Sequence, residues 1–278
     1  MRSVNLTWIA IIGFIAQTLY GQIPADSVRN TSFPNSIGIR IGGEYFANRD
    51  PLASPFNHAG LGLPIQLVYF RTSASWRHEA SLRFRASNLS SKYSGQYGGS
   101  SQTAELIYLQ MRYSLAHRVK DYDNHKTKIF AGMLWNTVFS FRNYNYAEGL
   151  EEETVAEVFT GLNPYVFVEH ALSPESRLFG QSHIALVTLA YRNPYSLATD
   201  RDAATATNKS FVSAFLHLSK WYGINRLFYW NTTFGYETKL SKHWICVLDY
   251  DFTWYRFNQS RVSTTVTESL TAGLRYAF

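Results

Sequence analysis

Residues 244–255 read WICVLDYDFTWY, and the two sets of alternate side chains in that stretch differ in kind. Trp244, Cys246, Leu248, Tyr250, Phe252 and Trp254 form one set; Ile245, Val247, Asp249, Asp251, Thr253 and Tyr255 form the other. A period of two marks an extended strand, whose successive side chains point to opposite faces. The aspartates need a polar or paired setting and the aromatics an apolar one, so this strand separates two media. Trp244 and Trp254 share a face ten residues apart, about 33 Å at roughly 3.3 Å per residue. Tilted by about 40°, that run covers roughly 25 Å, the height of the apolar band between the aromatic girdles of a membrane barrel. A soluble core sets no such spacing.

The same period governs most of the chain. In WRHEASLRFRAS (76–87), Trp76, His78, Ala80, Leu82, Phe84 and Ala86 oppose Arg77, Glu79, Ser81, Arg83, Arg85 and Ser87. Near the end, Leu270, Ala272, Leu274, Tyr276 and Phe278 oppose Ser269, Thr271, Gly273, Arg275 and Ala277. Further alternating runs lie near 37–47, 61–71, 104–117, 128–141, 157–169, 178–191, 208–220 and 227–240. Turn-rich stretches such as SNLSSKYSGQYGGSSQT and brief ones such as LSPES join them. Long loops mixed with short turns divide the two rims of an outer-membrane-type barrel. A soluble sandwich and a lipocalin-like barrel also alternate, but these runs exceed the roughly 5–6 residues typical of soluble strands. The expectation is an all-β, closed antiparallel transmembrane β-barrel of about twelve strands, with ten the alternative. Eleven runs are countable and a barrel with both ends on one side needs an even number, so LSKHW (240–244) falls on the wrong rim unless a further strand lies between 192 and 243. Pro64 and Pro164 fall inside runs, where each forfeits a ladder hydrogen bond.

Composition agrees. Aromatic residues make up 16% of the 278 and charged residues 17%, below the roughly 25% charge of soluble domains. Mean hydropathy is −0.19, which excludes a bundle of transmembrane helices. Residues 1–21 carry an early Arg2 and an apolar stretch from Trp8 to Ala16, the pattern of a secretory signal peptide. Residues 22–35 then form a short periplasmic segment and 36–278 the barrel. The single Cys246 excludes a disulfide framework. The net charge of +6 is dispersed, with no basic run for nucleic acid. Six Asn-x-Ser/Thr sequons read as chance, since Asn5 lies in the signal and Asn231 in a strand. No metal-ligand spacing or phosphate-binding glycine loop occurs, and no cofactor is expected.

The chain closes on TESLTAGLRYAF, with Phe278 last. Gly273, Tyr276 and Phe278 resemble the carboxy-terminal signature of bacterial outer-membrane β-barrels, in which the last strand ends aromatic-x-Phe. That resemblance implies a place in the bacterial outer membrane, contact with its lipids, and recognition of the last strand by the barrel-assembly machinery. Trp76, Trp135, Trp244, Trp254, Tyr276 and Phe278 are then expected in the membrane girdles. The resemblance concerns architecture and identifies no functional subfamily.

If the apolar faces meet lipid, Arg40, Glu44, Arg77, Glu79, Arg83, Arg85, Arg112, Asp249, Asp251 and Arg275 line the interior, with Arg142, Glu169 and Glu237. Lone charges there are costly, so pairing is expected. The leading expectation is a filled barrel with a structural, adhesive or accessory surface role and no enzymatic activity. A passive pore whose arginine rows attract anions is the alternative. An outer-membrane lipid hydrolase is a further one, because His217 and Ser219 share a face, as the Ser/His pairs of such hydrolases do. Here Leu216 and Leu218 form the apolar face, so that pair turns inward, and no third group is placed to orient the base. The acidic stretch at Glu148 and Glu151–Glu153 reads as a solvated loop. Tyr93, Tyr97, Tyr144 and Tyr146 are candidate surface contacts in outer loops.

Overall fold

The computed structural model describes residues 35–51, 57–73, 75–91, 103–123, 126–145, 153–192, 218–258 and 262–278. The signal peptide and residues 22–34 lie outside them, as do Glu148, Glu151, Glu152, Tyr93, Tyr97, Tyr146 and His217. Twelve strands follow in order: β1 (Ser36–Arg49), β2 (Asn57–Thr72), β3 (Trp76–Ser91), β4 (Thr103–Tyr122), β5 (Thr127–Asn145), β6 (Glu153–Ala171), β7 (Ser176–Ile184), β8 (Val187–Arg192), β9 (Lys220–Gly223), β10 (Leu227–Lys239), β11 (Trp244–Asn258) and β12 (Val262–Ala277). Ten close an antiparallel ring, β1 to β7 and then β10, β11 and β12, with β12 returning to β1. β8 pairs with β6 beyond the end of β7, and β9 pairs with β8.

Pro164 explains the break between β7 and β8. The β6–β7 ladder ends at Tyr165↔His183 and the β6–β8 ladder starts at Leu162↔Val187. Between them Pro164 has no N–H to offer, so pairing lapses and resumes one residue out of step. The neighbouring passage carries a matching irregularity. Ile184 faces Trp230 and Val187 faces Gly223, so three steps on one side oppose seven on the other. The excess is looped out in a turn closed by Arg226 N–H donating to Gly223 O at 2.9 Å. β9 and β10 therefore run in the same direction, one after the other.

That relation resolves the strand count: twelve strands in all, ten of them in the ring, the number given above as the alternative. β9 and β10 belong to a single passage down the barrel, and no further strand is needed for the turn at Leu240–His243 to reach the correct rim. Residues 208–217 lie outside the described residues. Pro64 acts more gently: the β1–β2 ladder lapses opposite Gly42 and Gly43 and resumes in the same register.

Turns of three or four residues join β2–β3, β4–β5, β6–β7 and β10–β11 on one rim. The strands that flank 92–102 and 193–219, the longest stretches between strands in the sequence, end at the other rim. Both barrel ends meet at the short-turn rim, where Phe278 N–H donates to Asn35 O. The outward face carries the large apolar side chains. Trp76 is 44% exposed, Leu248 47% and Leu274 46%, with Ile39, Leu63, Phe84 and Trp135 likewise exposed. A continuous surface of this kind is stable only against hydrocarbon.

At the closing seam two arginines lie across from glycines. Arg40 pairs with Gly273 and Arg275 with Gly38. A Cβ on Gly273 would meet Ile39 O at 2.4 Å and Arg40 Cγ at 2.6 Å; one on Gly38 would meet Arg275 Cγ at 2.4 Å. Each arginine stem occupies the room its partner glycine leaves. We expect Gly38→Ala or Gly273→Ala to destabilise the barrel by about 1–3 kcal/mol. Gly43→Ala, where nothing lies within 4 Å, should leave it unchanged. Urea unfolding in detergent micelles checks this; equal midpoints for all three variants would contradict the seam packing.

Candidate functional site

The interior is the chemically rich part of the molecule. Among the described residues, eight arginines and eight carboxylates are buried, each 9% exposed or less, and no lysine is among them. Arg40, Glu44, Arg77, Glu79, Arg83, Arg85, Arg112, Asp249, Asp251 and Arg275 all belong to this set. Alternation brings them inward from strand after strand, and ring closure brings their heads together.

Three groups of ion pairs stack from one rim to the other. Near the short turns, Glu237 accepts from Arg177 Nε at 2.7 Å and lies 2.7 Å from Arg275 Nη2. Glu169 pairs with Arg177 and stands 3.6 Å from Lys128. Arg40 meets Asp249 at 2.8 Å, and Thr271 donates to the same carboxylate at 2.6 Å. Arg77 meets Glu79 at 3.3 Å. In the middle, Glu44 pairs with both Arg83 and Arg85. Asp251 accepts from Arg83 at 3.2 Å, Asn231 at 2.9 Å and Thr233 at 2.8 Å, with Arg112 at 3.9 Å. Towards the long loops, Asp50 and Glu157 share Arg142 and Arg192.

Aromatic rings occupy the space between guanidinium groups. Arg77 Cζ lies 3.6 Å from the Phe167 ring centroid, and Phe70 lies under Arg77, Arg275 and Arg40 at 4.8, 4.4 and 5.7 Å. Arg85 sits between Tyr108 at 4.1 Å and Phe46 at 4.8 Å. Among the described residues the Nε groups of these four arginines find no hydrogen-bond acceptor, and the ring faces substitute electrostatically for one. Above the middle group, Phe159, Tyr229, Tyr255 and Phe257 form an aromatic cluster, with Gln110 donating to Tyr229 Oη at 3.0 Å and to Asn136 at 2.8 Å.

Trp76, Trp135, Trp244, Trp254, Tyr276 and Phe278 lie on the outward face, each between 37% and 62% exposed. Trp244 packs edge-to-face on Tyr276 near the short turns, and Trp254 on Phe228 towards the other rim. Gly273 faces inward beneath Arg40. Tyr144, expected in an outer loop, is instead buried in β5, where its hydroxyl donates to Asn48 Oδ1 at 3.2 Å.

Four members of the network, Arg177, Arg192, Asp50 and Glu157, escape the alternation pattern as read from sequence. Arg177 faces inward with Phe179, Gln181 and His183, but the opposite face holds Gly180 and Ser182, so contrast between the faces is weak there. Asp50, at the end of β1, is placed by its two arginines. Among the described residues, no group of His, Cys, Asp and Glu could hold a metal ion.

We expect Glu237→Leu, which leaves Arg177 and Arg275 facing each other without their carboxylate, to cost about 3–5 kcal/mol. Arg40→Met together with Asp249→Leu should cost less than either single change, because the pair leaves together. Urea titration of the four variants measures both; additive losses would contradict direct pairing.

No protein-family model matches the chain, and no curated protein resembles it in sequence. Solved structures do resemble it in fold. The translocator domain of the autotransporter NalP from Neisseria meningitidis superposes with a TM-score of 0.51 at 10% identity, covering 100% of both chains. The outer membrane protease OmpT from Escherichia coli superposes with a TM-score of 0.50 at 8% identity, covering 92% of this chain and 100% of that one. At such identities the likeness is one of architecture. Ring closure, the exposed apolar belt and these folds together make the chain a β-barrel of the bacterial outer-membrane type.

Proposed function

We propose that this barrel is a sealed scaffold that holds surface loops in the outer membrane, in a structural, adhesive or accessory role, and conducts no solute. The observation that carries the reading is the burial of eight arginines and eight carboxylates in mutual contact. A pore needs its charged rows wet and facing an open path. Here the rows meet across the axis, and rings fill the gaps between them. Anion attraction by unbalanced arginines, the pore reading, also weakens, since buried acids match buried arginines in number.

The long connections share the rim opposite the short periplasmic turns, which places them outside the cell. A rigid, ion-paired interior suits an anchor for such loops. In this reading the outward aromatics form the two girdles, lipid surrounds the belt between them, and Tyr276 and Phe278 present the last strand to the barrel-assembly machinery. Gly273 has a packing role beside Arg40 that is sufficient to explain it without a part in that recognition.

The expected outcome in planar bilayers is silence: no stepwise conductance from purified, folded protein at potentials up to about 100 mV, where an open charged pathway would gate or conduct. Reproducible steps from the wild-type chain would overturn the sealed-scaffold reading in favour of the pore.

A further inference from the structure

The membrane-facing surface is interrupted by a depression of about 410 Å³ across β6, β7 and β10. Gly180 and Ser182 form its floor, and Val166, Val168, Leu178 and Phe234 its walls. The floor exists because β7 places small residues on its outward face where its neighbours carry large ones.

Polar atoms at the floor are already satisfied. Trp230 Nε1 donates to Ser182 Oγ at 3.0 Å, Ser182 Oγ donates to Asn231 O at 3.3 Å, and Thr232 Oγ1 donates to Gln181 O at 3.1 Å. An occupant therefore needs no hydrogen-bonding groups, and hydrocarbon suits it. Taking a methylene at about the 30 Å³ of a water molecule, roughly a dozen carbons fit. One end of the depression is polar. His170 lines it, and its Nδ1 lies 2.8 Å from Thr127 Oγ1. Lys126 is adjacent in the β4–β5 turn, its carbonyl accepting from Ala171 N–H at 2.8 Å. This end lies at the short-turn rim, level with the headgroups of the periplasmic leaflet.

We propose that the depression is a binding site for one acyl chain of a periplasmic-leaflet phospholipid, with the phosphate at the level of His170 and Lys126. Apolar walls take the chain, the polar end at His170 takes the phosphate with Lys126 in the neighbouring turn, and the depth in the membrane selects phospholipid over the lipid of the outer leaflet. The proposal rests on membrane embedding and is independent of whether the interior is sealed.

Native mass spectrometry of the full chain, reconstituted in vesicles of phosphatidylethanolamine, phosphatidylglycerol and lipid A and released from mild detergent, tests it. Wild-type barrel should retain one phospholipid. Gly180→Leu should lower the retained fraction by about fivefold or more, since a side chain there fills the floor and its Cβ meets the Phe234 ring first, at 3.4 Å. Val168→Phe, a second filling variant, should act in the same direction if Gly180→Leu fails to fold. Gly43→Leu adds the same bulk on open outward surface of β1 and should retain lipid as wild type does. Heat-modifiability on a gel confirms that each variant is folded. Absence of bound phospholipid from the wild type, or equal retention in the filling variants, would overturn the proposal. So would a two-chain species lost on filling, which would assign the face to a second copy, or retention of lipid A instead of phospholipid.

Discussion

Hydrocarbon offers no partner to a backbone N–H or C=O, and that single constraint organises this molecule. Every strand must pair on both sides, so the sheet has to close. Closure fixes an inside and an outside, and a period of two then sends alternate side chains to each. Leu248 meets lipid because Asp249 cannot, and Asp249 meets Arg40 because closure carries β1 round to β12 and its neighbour β11. The places where pairing lapses have local causes: Pro164 lacks the N–H that β7 and β8 would need, and the turn at Gly223–Arg226 takes up the slack in the next passage.

A ring of ten strands encloses a narrow space, and what fills it has to satisfy charge as well as volume. Arginine is suited to that task and lysine is not. A planar guanidinium can donate to two carboxylates along its edges while an aromatic ring covers its face. Arg177 does the first, bridging Glu237 and Glu169, and Arg85 does the second between Tyr108 and Phe46. The long stems need room, which the seam supplies by setting Gly273 against Arg40 and Gly38 against Arg275. Removing one member of such a group strands its partners in a dry interior, so the network resists piecemeal change.

Much of this architecture is legible in the amino-acid sequence, for a physical reason. Alternation in 76–87 and 244–255 pits arginine or aspartate against tryptophan and leucine, and such contrast assigns faces unambiguously. It weakens where faces are chemically similar, as in β7, where Leu178, Gly180, Ser182 and Ile184 oppose Arg177, Phe179, Gln181 and His183. Alternation also cannot tell which charges pair, because Glu44 and Arg83 meet through ring closure and not through spacing. The interior aromatics are the least legible feature. Phe70, Phe167 and Tyr229 look like lipid-facing residues by type, yet Phe70 and Phe167 sit inside under guanidinium groups and Tyr229 sits inside in the aromatic cluster with Phe159. Strand number is obscured by one local matter, the looped-out turn that separates β9 from β10 without reversing the chain.

The most direct test of the account is a nitroxide scan along β11, from Cys246 to Trp254, in lipid vesicles, reading collision with oxygen and with a water-soluble nickel chelate. The account predicts that oxygen accessibility rises at every even position and falls at every odd one, while the chelate reaches neither set. Chelate collisions at positions 247, 249, 251 and 253 would reveal a wet interior, and collisions at the even positions would place the apolar face in water. Either result would contradict a dry, ion-paired barrel set in lipid.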